Sequence, residues 1–545
     1  MAKNSSTHES ARALFMERFP QLALLVPTWE PKETIEEALP FLDPGKAEVF
    51  YFYGLGAGEA YFPLKKWLKG DPERELIFLE EEPGIISSFL DRARAVEILS
   101  NPQVSVTLLS KKTLELQLDA LAELFPTKRV DVGALPSYQG RRFQNLRLKL
   151  LRKTTLSHAL HMDRLHGYQP FENFIQNIKH LPSSFYANAL KDSFKNIPAI
   201  VCGAGPSLQH SMKILRTLEN KALIIAGGST LAALSSQGVL PHFGMAIDPN
   251  LEEYRRLKNS FAFEVPLLYS TRVFPSIFQT CNGPFGYMRS GIGGVPELWI
   301  EEELGLLDPL LGEFLSSESI SVTAICVAWA QFLGCNPILL NGVDLAYTGK
   351  KRYASGVGED EEILFRAIDA EKSAADRILK RKDRKGNVVY TAVRWVMESA
   401  SLSYFAKKHQ EVRFINTTDG GIGFRGIDFQ PLSQARDQYL TQEFDLRGMV
   451  HQQIALAAMP ADAPHVISQK IDEMKLSLER SIGFLRILSR EEKGSIVLAE
   501  MELKEEMAYL YLFYDIHQVL DQSLLRTFRS WVPAESVAQK EDRLA

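Results

Sequence analysis

Residues 197–207 read IPAIVCGAGPS, and no other stretch constrains the fold as tightly. Residues 198–202 form an apolar run short enough for a buried strand. Gly203-Ala204-Gly205-Pro206-Ser207 breaks that run sharply, and Leu208, Met212, Leu215 and Leu218 then recur at helical spacing. The pattern predicts strand, glycine turn, helix. Pro206 suits a first helical turn, where its missing N–H costs nothing. Glycines let a backbone come close to a ligand, and a helix start offers free N–H groups to an anion. The spacing is not GxGxxG, and no Gly-Lys-Ser/Thr follows to make a P-loop. A phosphate or nucleotide site and a plain strand-to-helix turn of an α/β domain are both open readings here.

Further strand-like runs lie at 222–226, 243–247, 266–269, 337–341 and 412–415, with helical patterns between several of them. Such alternation predicts a mostly parallel sheet with helices on both faces. Ligands of these folds bind beyond the carboxyl ends of strands. The residues there are Gly203–Ser207, then Gly227, Gly228, Ser229 and Thr230, then Asp248, then Ser270, Thr271 and Arg272, then Gly342 through Asp344 to Tyr347. The glycines and hydroxyls suit phosphate and ribose. Asp248 and Asp344 can bind ribose hydroxyls, hold Mg²⁺ or act as bases, and each can equally be a turn residue. Arg272 is either a phosphate counter-charge or a surface ion-pair partner. His242, just before a strand, is either structural or a general base. The segment 349–362 reads as a mobile loop or lid, 380–387 as a basic hairpin turn, and 390–406 as a helix.

A chain of 545 residues is too long for one core. Residues 48–53 and 76–79 read as strands flanking Gly54-Leu55-Gly56-Ala57-Gly58, and the second run ends in Glu80-Glu81-Glu82. That order is how a Rossmann-like domain meets a ribose; a nucleoside ligand such as S-adenosylmethionine and a ligand-free domain of the same fold are both open. From about residue 430 long helices take over, with Ile471, Met474, Leu478, Ile482 and Leu485 in one stripe. They suit packing or homo-oligomerisation. A net charge of −5 gives no reason to expect nucleic acid as the main partner. No apolar run approaches membrane-spanning length, and the amino terminus has no signal-like apolar core. Four scattered cysteines read as buried thiols of a reducing compartment. The expectation is a cytoplasmic protein with no metal site.

Residues 203–208 (GAGPSL), Asp248-Pro249, 333–348 (LGCNPILLNGVDLAYT), 386–391 (GNVVYT) and 416–422 (NTTDGGI) resemble the motility-associated factor (Maf) glycosyltransferases, whose shared domain also resembles the 6-hydroxymethylpterin pyrophosphokinases (MptE-like). The resemblance implies an α/β chain in three parts: a Rossmann-like N-terminal domain (1–165), a central sialyltransferase-like α/β domain with a mostly parallel sheet (166–430), and a helical C-terminal domain (431–545). It implies transfer of a nonulosonic, sialic-type sugar from its CMP-activated form to Ser/Thr of a protein such as flagellin, with no cofactor required.

By the same likeness Gly203, Ala204, Gly205, Pro206 and Ser207 meet the nucleotide, helped by Gly227–Thr230. Arg272, Tyr347, Gly420 and Gly421 are candidate substrate contacts. The candidate bases are Asp344, Asp248 and His242, in that order. The alternatives are a pterin pyrophosphokinase in which both Asp residues hold Mg²⁺ on ATP, and a non-catalytic nucleotide-binding interaction module.

Overall fold

Short apolar runs ended by glycine or acid become the strands of two parallel sheets. The computed structural model describes residues 2–23, 29–34, 36–39, 42–315, 321–357, 377–518 and 520–521. The chain forms two compact units, one of Met1–Met162, Glu371–Arg377 and Asp521–Ala545, the other of Asp163–Ala370 and Ile378–Leu520.

In the first unit β1 (Val49–Tyr53), β2 (Glu75–Glu80), β3 (Val104–Leu108) and β4 (Val130–Ala134) pair in parallel in the order β3-β2-β1-β4. Every residue of β1 is buried, because helices cover both faces of a parallel sheet. Phe50 and Phe52 pack with Leu64 and Leu68 of the helix Tyr61–Lys69. Tyr51 sends its hydroxyl to the Leu121 carbonyl of the helix Leu114–Leu124 at 2.8 Å.

The second unit holds β5 (Phe185–Tyr186), β6 (Ala199–Cys202), β7 (Leu223–Gly227), β8 (Phe243–Ala246), β9 (Leu267–Tyr269), β10 (Phe285–Tyr287), β11 (Ile338–Asn341), an antiparallel hairpin of β12 (Ile378–Lys382) and β13 (Val388–Ala392), and β14 (Phe414–Asn416). Eight of these form one parallel sheet in the order β14-β11-β6-β7-β8-β9-β10-β5. The fold is mixed α/β with parallel sheets and a helical C-terminal region, as expected from the alternation. The chain runs outward from β6 to β10 and then returns to lay β11 on the other side of β6. Cys202 accordingly pairs with Ala226 on one side and Asn341 on the other. This reversal makes the crevice beyond β6 and β11 the topological switch point.

Alternate residues of β6 feed separate layers. Ile200 and Cys202 join one apolar cluster, while Ala199 and Val201 join the other. The second layer contains the buried helix Val322–Phe332, and Gly334 follows it at φ +80°, the left-handed stop of a helix end. The first layer takes in Ile467 and Met474 from the long helix Ala463–Leu488, and Tyr511 stacks on Trp299 at 5.7 Å. The C-terminal helices thus share a core with the sheet. Farther along the expected stripe, Ile482 and Leu485 remain exposed. Both sheet edges are very short strands, and each is bridged by its own chain: Phe185 pairs with Ala458, and Asn416 with Phe429.

One expectation changes. The glycine turn leads into a 3₁₀ turn, Pro206–His210, and a four-residue helix, Met212–Leu215, not into one continuous helix. Leu208, Met212, Leu215 and Leu218 are nonetheless all buried, as their spacing requires. Strands β5 and β10 carried no recognised signal. The far part of the expected lid, 358–362, lies outside the described residues. All four cysteines are buried free thiols, and burial pushes the Cys202 thiol up to about 12. Among the described residues no helix is long and apolar enough to cross a membrane.

Candidate functional site

A cleft opens beyond the carboxyl ends of β6, β7, β8 and β11. The turns that line it are Gly203–Gly205, Gly227–Thr230, Asp248 and Gly342–Ala346, joined by Glu253, Ser321–Thr323, Arg352, Tyr353, Trp395 and Glu398. It encloses about 180 Å³, less than the roughly 300–1,000 Å³ of common small-molecule pockets.

The turn after β6 is held by the turn after β11. Gly203 N–H donates to the Asn341 carbonyl and Gly205 N–H to the Gly342 carbonyl, both at 2.8 Å. A Cβ on Gly203 would sit 2.7 Å from the Gly342 oxygen, and one on Gly205 would strike the Asp344 carboxylate. These glycines therefore admit a neighbouring turn, a different use from the ligand approach read from the sequence. Ser207 Oγ donates to Asp344 Oδ1 at 2.6 Å, and its N–H reaches Oδ2 at 3.3 Å. Of the turn's amides, only that of Ala204 is left without a partner among the described residues. The Ala204 carbonyl accepts from Ala354 N–H at 2.8 Å, which clamps the segment carrying Arg352 and Tyr353 onto the turn.

Asp344 is buried, and that burial raises its pKa against the hydrogen bonds from Ser207. Gly420 and Gly421 pack behind it. A Cβ on Gly420 would lie 2.8 Å from Oδ2, and Ile422 N–H donates to the Asp344 carbonyl at 3.0 Å. They support the Asp344 turn and do not line the cleft. Tyr347 is buried and packs its ring on Trp395 at 4.9 Å, so it reaches the cleft through Trp395.

On the other wall Gly228 has φ +51° and faces Glu253 where a Cβ would be. Glu253 pairs with Arg256 at 3.3 Å on the helix Leu251–Leu257. Asp248 is part-buried; burial raises its pKa, while Arg272 and Arg256 act in the opposite sense. Arg272 itself is spent on the Ile292 carbonyl (3.0 Å) and on Asp163 (2.8 Å), outside the lining. Its positive charge reaches Asp248, but its hydrogen bonds do not face a ligand.

His242 is 1% exposed and stands just before β8, at the end of the sheet opposite the cleft. Its Nδ1 accepts from Ile224 N–H at 2.9 Å, and burial lowers its pKa to about 3. A neutral imidazole sealed in the core, with its acceptor committed, has the geometry of a structural histidine.

Several lining residues escaped the sequence reading. Ser321 caps the helix Val322–Phe332 by accepting from Ala324 N–H, and it donates to Glu398 Oε1 at 2.5 Å. A Ser just before an apolar run is a legible cap signal. Glu398, 8% exposed on the helix Val393–Lys408, carries no local signal; burial raises its pKa to about 7. Among the described residues no three His, Cys, Asp or Glu side chains are grouped as a metal site.

The glycine loop of the first unit is closed by its own acids. Glu80 is 0% exposed and accepts from Leu55 N–H (2.9 Å), Glu81 N–H (2.8 Å) and the Tyr138 hydroxyl (3.0 Å). Glu59 accepts from Ala57 N–H at 2.8 Å. The carboxylate that would hold a ribose in a nucleoside site here holds the loop.

Fold and cleft together define a doubly wound α/β domain with an acid-lined crevice at its switch point. Residues 172–350 match the family model described as 6-hydroxymethylpterin diphosphokinase MptE-like, the family that the motifs of the central domain resemble. Among solved structures the chain is similar to that of a Maf glycosyltransferase from Magnetospirillum magneticum AMB-1, at 15% identity and a TM-score of 0.46, over 97% of this chain and 90% of that one. No curated protein sequence gives a significant match.

Proposed function

We propose that the chain is a glycosyltransferase of the Maf type, taking a CMP-activated nonulosonic sugar as donor and a Ser/Thr hydroxyl of a protein such as flagellin as acceptor. The observation that carries this reading is the interlocked pair of turns at the switch point, Gly203–Ser207 on Gly342–Asp344, which holds a polar crevice open between strand ends. The motifs at those turns are the ones that resemble the family. The chain is far longer than the matched region, an extent that suits a protein acceptor better than a small pterin.

In the proposed reaction the acceptor oxygen bonds to the anomeric carbon, the bond from that carbon to the phosphate oxygen breaks, and the electron pair leaves with CMP. The acceptor proton goes to Asp248. Asp344 is less suited to receive it, because Ser207 occupies both its oxygens. Among the described residues the Asp248 side chain has no hydrogen-bond donor, and burial makes it a stronger base than an exposed Asp. Needing neither metal nor cofactor is part of the proposal.

A pterin pyrophosphokinase using ATP and Mg²⁺ is the second reading, favoured by the family model over 172–350. Calorimetry and thermal shift with CMP, CMP-sialic acid and ATP–Mg²⁺ separate the two, since a ligand of the folded state stabilises it by mass action. CMP-selective binding that is lost in Ser207→Arg is the expected result. ATP–Mg²⁺ selectivity would replace it with the kinase.

A further inference from the structure

We infer that Arg352 binds the oxyanion of the cleft's ligand. The inference rests on the cleft being a nucleotide-sugar site, and it adds a residue that neither the motifs nor the matched family region singles out for a role. Among the described residues Arg352 is the one Lys or Arg lining the cleft, against four acids: Asp248, Glu253, Asp344 and Glu398. Three of those acids are already committed within the chain, Glu253 to Arg256, Asp344 to Ser207 and Glu398 to Ser321. None of the four pairs with Arg352. Among the described residues its guanidinium has no hydrogen bond or ion pair, and its Nε is buried without a partner. A buried guanidinium N–H left unsatisfied is costly, and an oxyanion of a ligand satisfies it.

The residue is also held in place before any ligand arrives. Its guanidinium lies over the Tyr353 ring at 4.9 Å from the centroid. Two residues on, Ala354 N–H is fixed to the Ala204 carbonyl at 2.8 Å. Arg352 is thus tied by backbone to the turn whose Ala204 amide is free. A planar fork and a free amide lining one cleft are donors that phosphate and carboxylate oxygens take. A CMP-activated nonulosonic sugar offers both, the phosphate on the nucleotide and the carboxylate on the sugar.

The test compares wild type, Arg352→Gln and Arg352→Lys by calorimetry with cytidine, CMP, CMP-sialic acid and inorganic pyrophosphate, after matched melting curves confirm the fold. Phosphate recognition predicts a roughly ten- to hundredfold loss of CMP affinity in Arg352→Gln, partial recovery in Arg352→Lys, and no change for cytidine. Carboxylate recognition predicts that CMP affinity holds and CMP-sialic acid affinity falls by the same factor. Either result supports the inference. If Arg352→Gln binds both ligands as wild type does, the inference is overturned while the donor reading stands. If wild type binds pyrophosphate through Arg352 but not CMP, the anion site stands and the donor reading falls. Binding of none of these by wild type overturns both.

Discussion

The Ser207 hydroxyl donates to Asp344 Oδ1 at 2.6 Å across 137 residues of sequence, and the Ser207 amide reaches the other oxygen at 3.3 Å. This contact locks the two turns that flank the switch point, so it sets the shape of the cleft floor. Asp344→Ala should cost about 1.5–3 kcal/mol in urea unfolding, the range for hydrogen bonds to a buried charged group. Asp344→Asn should cost less, because it keeps one acceptor. Equal stability of wild type and Asp344→Ala would show that the lock carries no load.

Glu398 makes stability depend on pH. Burial raises its pKa from 4.5 to about 7, so between those values the folded state holds a proton that the unfolded state has lost. Its contribution is present below about pH 4.5 and is lost as pH rises through about 7. Glu398→Gln should match wild type near pH 5 and exceed it by about 2–3 kcal/mol near pH 8. Chemical denaturation at both pH values checks this. Glu301, also raised to about 7, contributes in the same window in both proteins and cancels in the comparison.

The buried His242 should matter to folding and not to turnover. His242→Phe removes the acceptor of Ile224 N–H and should destabilise by about 1–3 kcal/mol. With a pKa lowered to about 3, the wild-type imidazole contributes stability above about pH 6.5 that is lost as pH falls toward 3. Donor turnover per folded molecule should be unchanged, and a collapse of turnover with the fold intact would restore His242 as a base.

Gly228→Ala should be costly for two reasons at once. Its φ of +51° is strained for any residue with a side chain, and the added methyl would meet Glu253. A loss of about 1–3 kcal/mol is expected from the backbone alone. Nucleotide affinity should fall with it, because the turn lines the cleft.

In the first unit Glu80→Ala should lower stability by exposing the amides of Leu55 and Glu81 and the Tyr138 hydroxyl to the loss of their shared acceptor. S-adenosylmethionine should give no thermal shift with wild type. A clear shift would mean that the loop opens to a ligand.

The strands around the site were legible because each is a short apolar run stopped by a small or polar residue, as Ile200-Val201-Cys202 is by Gly203. That the glycine turns converge on one cleft followed from parallel topology. What the glycines do there was not legible: the partner of Gly205 is Asp344, and no local pattern announces a neighbour that far along the chain. Arg352, Trp395 and Glu398 were missed for the same reason, since their helices and loops look ordinary until the fold carries them to the cleft. The helix after the turn was overestimated because the burial of Leu208, Met212 and Leu215 has the right period, while backbone hydrogen bonding there takes 3₁₀ form.

The two outer strands of the large sheet, Phe185–Tyr186 and Phe414–Asn416, are each too short to template another chain, and each already meets a residue from elsewhere in its own fold. Among the described residues, these two edges of the large sheet offer a partner no long open row of backbone donors and acceptors to extend. An unfolded acceptor segment therefore cannot be captured by strand addition at these edges. On the proposed reading, recognition of an acceptor then rests on side chains at the mouth of the cleft, in loops that can change without disturbing the sheet beneath.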